Sequence, residues 1–257
     1  MKRPIIPKAF RHIIIAICAC LLVILILIAI LVNICTLQMP GQETSTYIIR
    51  KSISSIYLKN KTIAINTPNG QTLLRLVATN TDTLLINNGY TYVNSALTNE
   101  AYDVSSSFIV SKDITHKTLH SIQRLNDKAQ IFDTISLPIN QIKDDWKIYL
   151  RAPIPKNIPD TRIYPHNDKI NWNAYNLGPI RIPSKGETIL LDEKNMAIYA
   201  PLIKAYEDAE PHPNTSYTFK HNYVWAMCDN RDICSDSRIF GPLPADNIIG
   251  IIQMKLW

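Results

Sequence analysis

Five charged residues of both signs lie within ten positions near the end of the chain. They are Asp229, Arg231, Asp232, Asp236 and Arg238. An apolar run at residues 217–227 leads directly into them, and charges buried behind such a run must be paired and hydrogen-bonded. This pattern predicts either a structural loop folded on its own ion pairs or a loop that binds a ligand or performs catalysis. The residue types alone do not decide between the two.

Two cysteines, Cys228 and Cys234, flank the charged positions. In an oxidising compartment they would form a disulfide that closes a short loop; the alternative is two buried free thiols. Because no CxxC or HxxxH pattern lies near them, we expect no metal ion there, and we expect no cofactor. His116 and His120 are four residues apart, but without a third ligand we interpret them as solvated side chains.

An apolar run without charge at residues 13–35 is long enough to cross the roughly 30 Å hydrocarbon core of a membrane as a helix. It exceeds the roughly 7–15 apolar residues of a cleavable signal peptide. Four basic residues and no acid precede it, so the positive-inside rule places the N-terminus in the cytoplasm and exports the rest. The exported part then has 23 basic residues against 21 acids, which gives no reason to expect a nucleic-acid partner.

Most of the remaining chain has the pattern of a β protein. Short alternating runs at residues 62–65, 72–78, 83–94, 217–227 and 248–257 predict strands. Asn88–Gly89 predicts a type I′ hairpin turn, since both central positions of that turn need a positive φ. Helical spacing predicts one amphipathic helix within residues 107–131 and a second at residues 195–207.

The charged loop resembles the last signature box of bacterial type I signal peptidases, which reads approximately GDNRDNSxDSRxxGxVP. The matching residues are Asp229, Asn230, Arg231, Asp232, Asp236, Ser237, Arg238 and Gly241. Upstream, residues 74–78, 82–84 and 88–94 resemble the family stretch KRVVGxPGDTLxIxNGxxYVN. The resemblance implies a membrane-anchored, exported, β-rich body, and it implies that the charged loop is the ion-pair loop that supports the active site.

The family cleaves signal peptides with a serine nucleophile and an unprotonated lysine as general base. Here the resemblance places Glu43 at the serine position and Leu74 at the lysine position, while Cys228 and Cys234 replace the family glycine and serine beside the dyad. A leucine accepts no proton, and an arginine such as Arg75 stays protonated. We therefore expect no catalytic residues at the family positions.

These observations predict a mainly β, signal-peptidase-like body with a small inserted α+β region on one transmembrane helix. The expected divisions are a basic tail (1–12), an anchor (13–35), the first part of the core (36–98), the insert (99–170) and the second part of the core (171–257). The expected location is the bacterial cytoplasmic membrane, with the body on the periplasmic or outer side.

Three functions remain open at this point, and the least specific is an unrelated binding or assembly role on the same fold, since a fold does not fix function. The other two are more specific. One is a non-catalytic protein of secretion or signal-peptide processing, whose partners are the membrane and either presecretory proteins or an active signal peptidase. The other is an active endopeptidase with a relocated dyad, drawn from the serines and lysines that follow the anchor. These are Ser45, Ser52, Ser54, Ser55, Lys51, Lys59 and Lys61.

Overall fold

The computed structural model describes residues 8–38, 44–50, 59–98, 105–111, 122–126, 131–138, 148–150, 154–232 and 234–256. Its helices are α1 (Lys8–Leu31), α2 (Glu193–Tyr206) and α3 (Ser237–Phe240). Its strands are β1 (Val32–Gln38), β2 (Thr44–Arg50), β3 (Thr62–Thr67), β4 (Gly70–Thr79), β5 (Thr83–Asn87), β6 (Tyr90–Val93), β7 (Ala96–Leu97), β8 (Ser105–Ser111), β9 (Ile122–Asn126), β10 (Ile131–Pro138), β11 (Ile148–Leu150), β12 (Leu177–Arg181), β13 (Thr188–Leu190), β14 (Ser216–Thr218), β15 (Tyr223–Met227), β16 (Leu243–Pro244) and β17 (Ile248–Lys255). The body is thus mainly β, as the sequence predicts.

The central element is a seven-stranded antiparallel sheet in the order β1-β2-β17-β3-β4-β15-β16. Strands from both ends of the chain meet in it, because β17 inserts between β2 and β3. A four-stranded sheet, β12-β5-β6-β7, and α2 contribute to the largest apolar cluster, together with β15. The alternation of β15 places Tyr223, Trp225 and Met227 in this cluster, and Val224, Ala226 and Cys228 in a second cluster with β3 and β4.

Several local predictions are confirmed. Asn88 and Gly89 have φ values of 50° and 76°, which is the hairpin turn between β5 and β6 that the Asn-Gly pair predicts. The second predicted helix is α2, which Asp192 caps by accepting a hydrogen bond from the Asn195 amide. Pro201 lies inside this helix, where it supplies no backbone donor.

The predicted amphipathic helix at residues 107–131 is wrong over the residues that the structure describes. Residues 105–111, 122–126 and 131–138 are strands β8, β9 and β10, which join β11 in a four-stranded antiparallel sheet. Apolar residues at a spacing of three or four also fit short strands separated by loops, so periodicity did not distinguish the two. His116 and His120 lie outside the described residues.

Two further boundaries differ from the predictions. The apolar run is helical only to Leu31, and its end, with alternating β-branched residues, forms β1 and pairs with β2. The run at residues 217–227 is two strands in different sheets, since β14 pairs with β13 and β15 pairs with β4. Side chains of α1 are described for residues 14–26 only, and no described helix is both long enough and apolar enough to cross a membrane.

Candidate functional site

The charged loop is built on a fully buried ion pair between Asp236 and Arg238. The Asp236 carboxylate accepts four hydrogen bonds: Oδ1 from the Arg238 amide and Nε, and Oδ2 from Arg238 Nη2 and the Cys228 amide, at 2.9–3.0 Å. Asp236 also caps α3. Burial opposes the charge of Arg238, but attraction and hydrogen bonds from Asp236 outweigh it and raise the pKa of the guanidinium. Both side chains of the pair are therefore hydrogen-bonded and buried.

The remaining arginine of the loop extends this buried network. Arg231 is 8% exposed, and its Nη1 donates to the Cys228 carbonyl at 2.8 Å. Its own carbonyl accepts a hydrogen bond from Arg238 Nη2. Ser237 is also buried, and its hydroxyl accepts a hydrogen bond from the Ala226 amide at 3.0 Å. The loop thus folds back against the end of β15, the strand that precedes it.

Asp229 connects the loop to β4, through a partner that the sequence analysis did not assign. Arg75 donates from Nε and Nη2 to the two carboxylate oxygens of Asp229 at 2.6 and 2.7 Å. Arg75 Nη1 also donates to the Asn60 carbonyl at 2.9 Å. Such a bidentate contact between a guanidinium and a carboxylate fixes both the position and the orientation of the Asp229 side chain. The arginine that follows the family lysine position is therefore used to hold the loop against the sheet.

Asp232 connects the same loop to the turn before β12. Its Oδ1 accepts a hydrogen bond from the Tyr175 hydroxyl at 2.9 Å, and its amide donates to Asn230 Oδ1 at 3.2 Å. The carbonyl of Tyr175 in turn accepts from the amide of Gly89, in the hairpin turn between β5 and β6. The charged loop and the Asn88–Gly89 turn, which belong to the two segments that resemble family signature boxes, therefore both contact Tyr175.

Asn173 and Asn176 organise this turn, a role that the sequence did not assign to them. Asn173 is fully buried; its Nδ2 donates to the carbonyls of Pro155 and Ile158. Asn176 Oδ1 accepts from the Asn88 amide, and its Nδ2 donates to the Ile154 carbonyl. Both amide side chains thus donate to carbonyls within residues 154–158, and Asn176 also accepts from the amide of Asn88. The sequence carries no signal for this role, because it depends on contacts with segments that are distant in the chain, such as the contact of Asn176 with Asn88 across 88 positions.

Cys228 and Cys234 are joined as a disulfide in the structure, with Cα atoms 6.3 Å apart. Cys228 is the first residue after β15 and is 3% exposed. Ligand atoms of the two cysteines and of Asp236 lie within 4.8 Å of one another, the one such group of potential metal ligands found in the described residues. Because the sulfurs are bonded to each other and the carboxylate accepts four hydrogen bonds, this group offers no free ligand.

Leu74, at the family lysine position, lies in the same apolar cluster as Cys228 and is 1% exposed. Cys234 packs against that cluster. Leu74 and Cys228 thus belong to one apolar cluster, and Leu74 supplies no group that could accept a proton. Glu43, at the serine position, lies outside the described residues.

The register of the large sheet separates Ser45 from Leu74. Leu74 pairs with Ile63, Ile63 with Ile251, and Ile251 with Arg50, so these four residues form one row across the sheet. Ser45 is five residues farther along β2, which is about 16 Å along the strand direction. Ser45 is therefore too far from Leu74 to form a dyad with a residue at that position.

Lys59 forms an ion pair with a carboxylate and is not placed as a general base. Its ammonium contacts both carboxylate oxygens of Asp82 at 2.9 and 2.7 Å. Asp82 is 4% exposed and also accepts hydrogen bonds from Thr79 and Asn94. Lys61 is exposed. Ser52, Ser54, Ser55 and Lys51 lie outside the described residues.

Protonation of Asp82 should make the free energy of unfolding depend on pH in the acid range. Burial by itself raises the pKa of Asp82, but hydrogen bonds from Lys59, Thr79 and Asn94 outweigh it and hold the pKa below its usual value. A depressed pKa gives stability that is complete above the unfolded-state pKa of about 4 and is lost as pH falls through the lower folded-state value. We expect Asp82→Asn to lower the free energy of unfolding at pH 7 by about 1–3 kcal/mol.

Urea unfolding of the wild type and of Asp82→Asn between pH 7 and pH 2.5 measures this effect. The difference between the two proteins should shrink as the pH falls below about 4. Asp246→Asn is the control, because the Asp246 side chain is 87% exposed and its substitution should leave the curve unchanged. A constant difference across the whole pH range would contradict the assignment to the ionised carboxylate.

A cavity of about 840 Å³ lies away from this loop, at the first turn of α2. Its lining includes the apolar residues Ile170, Met196 and Pro213 and the basic residues Lys169 and Lys194. No residue of the charged loop lines it.

Residues 158–257 match the family model described as signal peptidase, peptidase S26. This match, over 100 of the 257 residues, supports membership of the chain in the type I signal peptidase family. The matched residues contain the charged loop and α2, whereas Glu43 and Leu74 precede them. No curated protein matches the chain.

Proposed function

We propose that this signal peptidase homologue has lost the serine–lysine dyad and acts as a binding or regulatory partner in secretion or signal-peptide processing. The observation that carries the proposal is Leu74, which is buried in an apolar cluster beside the disulfide. Peptide-bond cleavage by this family needs a base that removes the serine proton, and a leucine cannot do so.

The neighbouring cation does not replace that base. The Arg75 guanidinium forms two hydrogen bonds to Asp229 and one to the Asn60 carbonyl. A guanidinium remains protonated under all conditions relevant to catalysis. Arg75 is thus a supporting residue of the loop, and its position next to Leu74 brings no proton acceptor to the site.

The loop itself is intact as a structure. Asp229, Asp232, Asp236 and Arg238 all have hydrogen-bonded partners, and these contacts tie the loop to β4, to β15 and to the turn before β12. A site that keeps its supporting framework while it lacks the proton acceptor is suited to bind a peptide without cleaving it. This combination favours a binding role over a decayed enzyme.

The proposed location is the exported face of the cytoplasmic membrane. It is supported by the charge-free apolar run at residues 13–35 and by the basic residues that precede it without any acid. In this arrangement the N-terminus is cytoplasmic and the β-rich body lies on the other side. The proposed partners are the membrane and either presecretory proteins or an active signal peptidase.

We expect the full chain, reconstituted in vesicles, to leave a signal-peptide reporter uncleaved while an active signal peptidase cleaves the same reporter in parallel. Mass spectrometry of the reporter after prolonged incubation measures this. Cleavage that disappears in Ser45→Ala or Lys51→Ala would establish the relocated dyad instead.

The binding role has its own measurement. Purification of the full chain in mild detergent should recover an active signal peptidase or a presecretory protein with it, and Arg75→Ala should reduce that recovery because the loop loses its attachment to β4. Repeated recovery of the chain alone would contradict the partner role without bearing on the absence of cleavage.

A further inference from the structure

We propose that Asn69 is a site of spontaneous deamidation, and that the other Asn–Gly pair of the chain, Asn88–Gly89, is protected by the turn before β12. The chain has two such pairs, and each lies at the turn of a β-hairpin. An asparagine before glycine is prone to this reaction, because glycine has no Cβ atom to hinder the approach of its backbone nitrogen. The modification is independent of whether the protein binds or cleaves a peptide.

The reaction needs only the asparagine, the next backbone nitrogen and water. That nitrogen loses its proton and attacks the side-chain Cγ atom, the bond from Cγ to the amide nitrogen breaks, and ammonia leaves. Water then opens the succinimide ring that has formed. Addition of water at the side-chain carbonyl gives aspartate, and addition at the main-chain carbonyl gives isoaspartate, whose backbone runs through Cβ and Cγ. No oxidant or reductant takes part.

The Asn69–Gly70 pair lies in an exposed turn between β3 and β4. Pro68, Asn69 and Gly70 are all exposed. The Thr67 hydroxyl, from the same hairpin, donates to the Gly70 carbonyl at 2.8 Å and accepts from the Asn69 amide at 3.3 Å. A Cβ atom built on Gly70 would meet nothing within 4 Å. The turn therefore has room for the Gly70 nitrogen to approach Cγ of Asn69.

The attacking nitrogen of the second pair is held by a distant segment. The Gly89 amide donates to the Tyr175 carbonyl at 2.8 Å, and the Asn88 amide donates to Asn176 Oδ1 at 3.0 Å. Gly89 can attack only after its hydrogen bond to Tyr175 is broken, because the nitrogen must lose its proton and move toward Cγ. The turn that supplies both acceptors contains the fully buried Asn173. The same dipeptide is thus fixed in one hairpin and open in the other.

Isoaspartate at position 69 would change the end of the β3–β4 hairpin. Thr67 pairs with Gly70 across a two-residue turn, and isoaspartate adds one carbon atom to the backbone between them. This pairing cannot be kept in the longer turn. Leu74, which pairs with Ile63 farther along the same strands, lies outside the altered turn. Both products of the reaction also replace a neutral amide by a carboxylate.

The test follows both pairs in the full chain purified in detergent and incubated for several days at mildly alkaline pH. Peptide mapping by mass spectrometry measures the mass gain of deamidation, and enzymatic methylation of the isoaspartyl carboxylate identifies that product. Asn69 should be converted at least about tenfold faster than Asn88, since Gly89 reacts only in the minor population that has opened its hydrogen bonds. In urea that unfolds the body, the two pairs should react at similar rates.

Two variants serve as controls. Asn69→Gln should remove isoaspartate from its peptide, because the longer side chain does not form the five-membered ring, and should leave the rate at Asn88 unchanged. Asn176→Ala removes the acceptor of the Asn88 amide and should speed conversion of Asn88 without affecting Asn69. An unmodified Asn69, equal or faster conversion of Asn88 in the folded protein, or an undiminished difference in urea would each overturn the proposal. None of these results depends on reporter cleavage or on recovery of a partner.

Discussion

Arg238→Ala is expected to lower the free energy of unfolding of the β-rich body by about 3–5 kcal/mol, the usual cost of leaving one partner of a buried ion pair alone. Asp236 is 0% exposed and would lose two of its four hydrogen bonds, those from Nε and Nη2 of Arg238. The Arg231 carbonyl would lose its contact with Arg238 as well. Chemical denaturation followed by tryptophan fluorescence measures the change.

The chain provides a matched control for this prediction. Asp160 and Arg162 have the same spacing and the same set of contacts: the Arg162 amide, Nε and Nη2 donate to the Asp160 carboxylate at 3.0, 2.9 and 2.8 Å. The Arg162 side chain is 84% exposed. Because exposed ion pairs contribute little to stability, Arg162→Ala should leave the unfolding curve essentially unchanged. Similar losses in the two variants would show that burial is not the source of the effect.

Gly241→Ala is expected to destabilise the body by roughly 3–5 kcal/mol, since it combines backbone strain with overpacking. Gly241 has φ 78° and ψ −167°, a conformation that is nearly restricted to glycine. A Cβ atom at this position would also overlap the ring of Tyr164, whose amide donates to the Arg238 carbonyl and whose hydroxyl donates to the Ile198 carbonyl. The ring cannot move without separating the loop from α2.

Gly186→Ala separates the contribution of backbone strain from that of overpacking. Gly186 has φ 81°, close to that of Gly241, but a Cβ atom there meets nothing within 4 Å. We expect it to cost only the strain of a positive φ, about 1–2 kcal/mol. Tyr164→Ala combined with Gly241→Ala should recover part of the packing loss relative to the sum of the single variants, as measured in a double-mutant cycle. Strict additivity would contradict the contact.

Sequence reasoning located the candidate site because its signals are local. The charged loop, the flanking cysteines and the Asn88–Gly89 turn are each contained in a few consecutive residues, and the turn appears where the pair predicts it. The prediction of a helix at residues 107–131 was wrong because apolar residues that recur every three or four positions fit both a helix and short strands separated by loops. Only the pairing of β8 with β10 and of β10 with β9 distinguishes them.

The sequence by itself determined the composition of the site: charges of both signs in one loop, a leucine where the family has a lysine, and an apolar segment preceded by basic residues. The tertiary structure decided which of these groups meet. Arg75 and Asp229 are separated by 154 positions, and Tyr175 and Asp232 by 57. Their contacts depend on the register of β4 against β15 and on the turn before β12. The physical reason is that side-chain type is encoded at each position, whereas pairing between distant residues exists only after the sheets and turns have placed them within hydrogen-bonding distance.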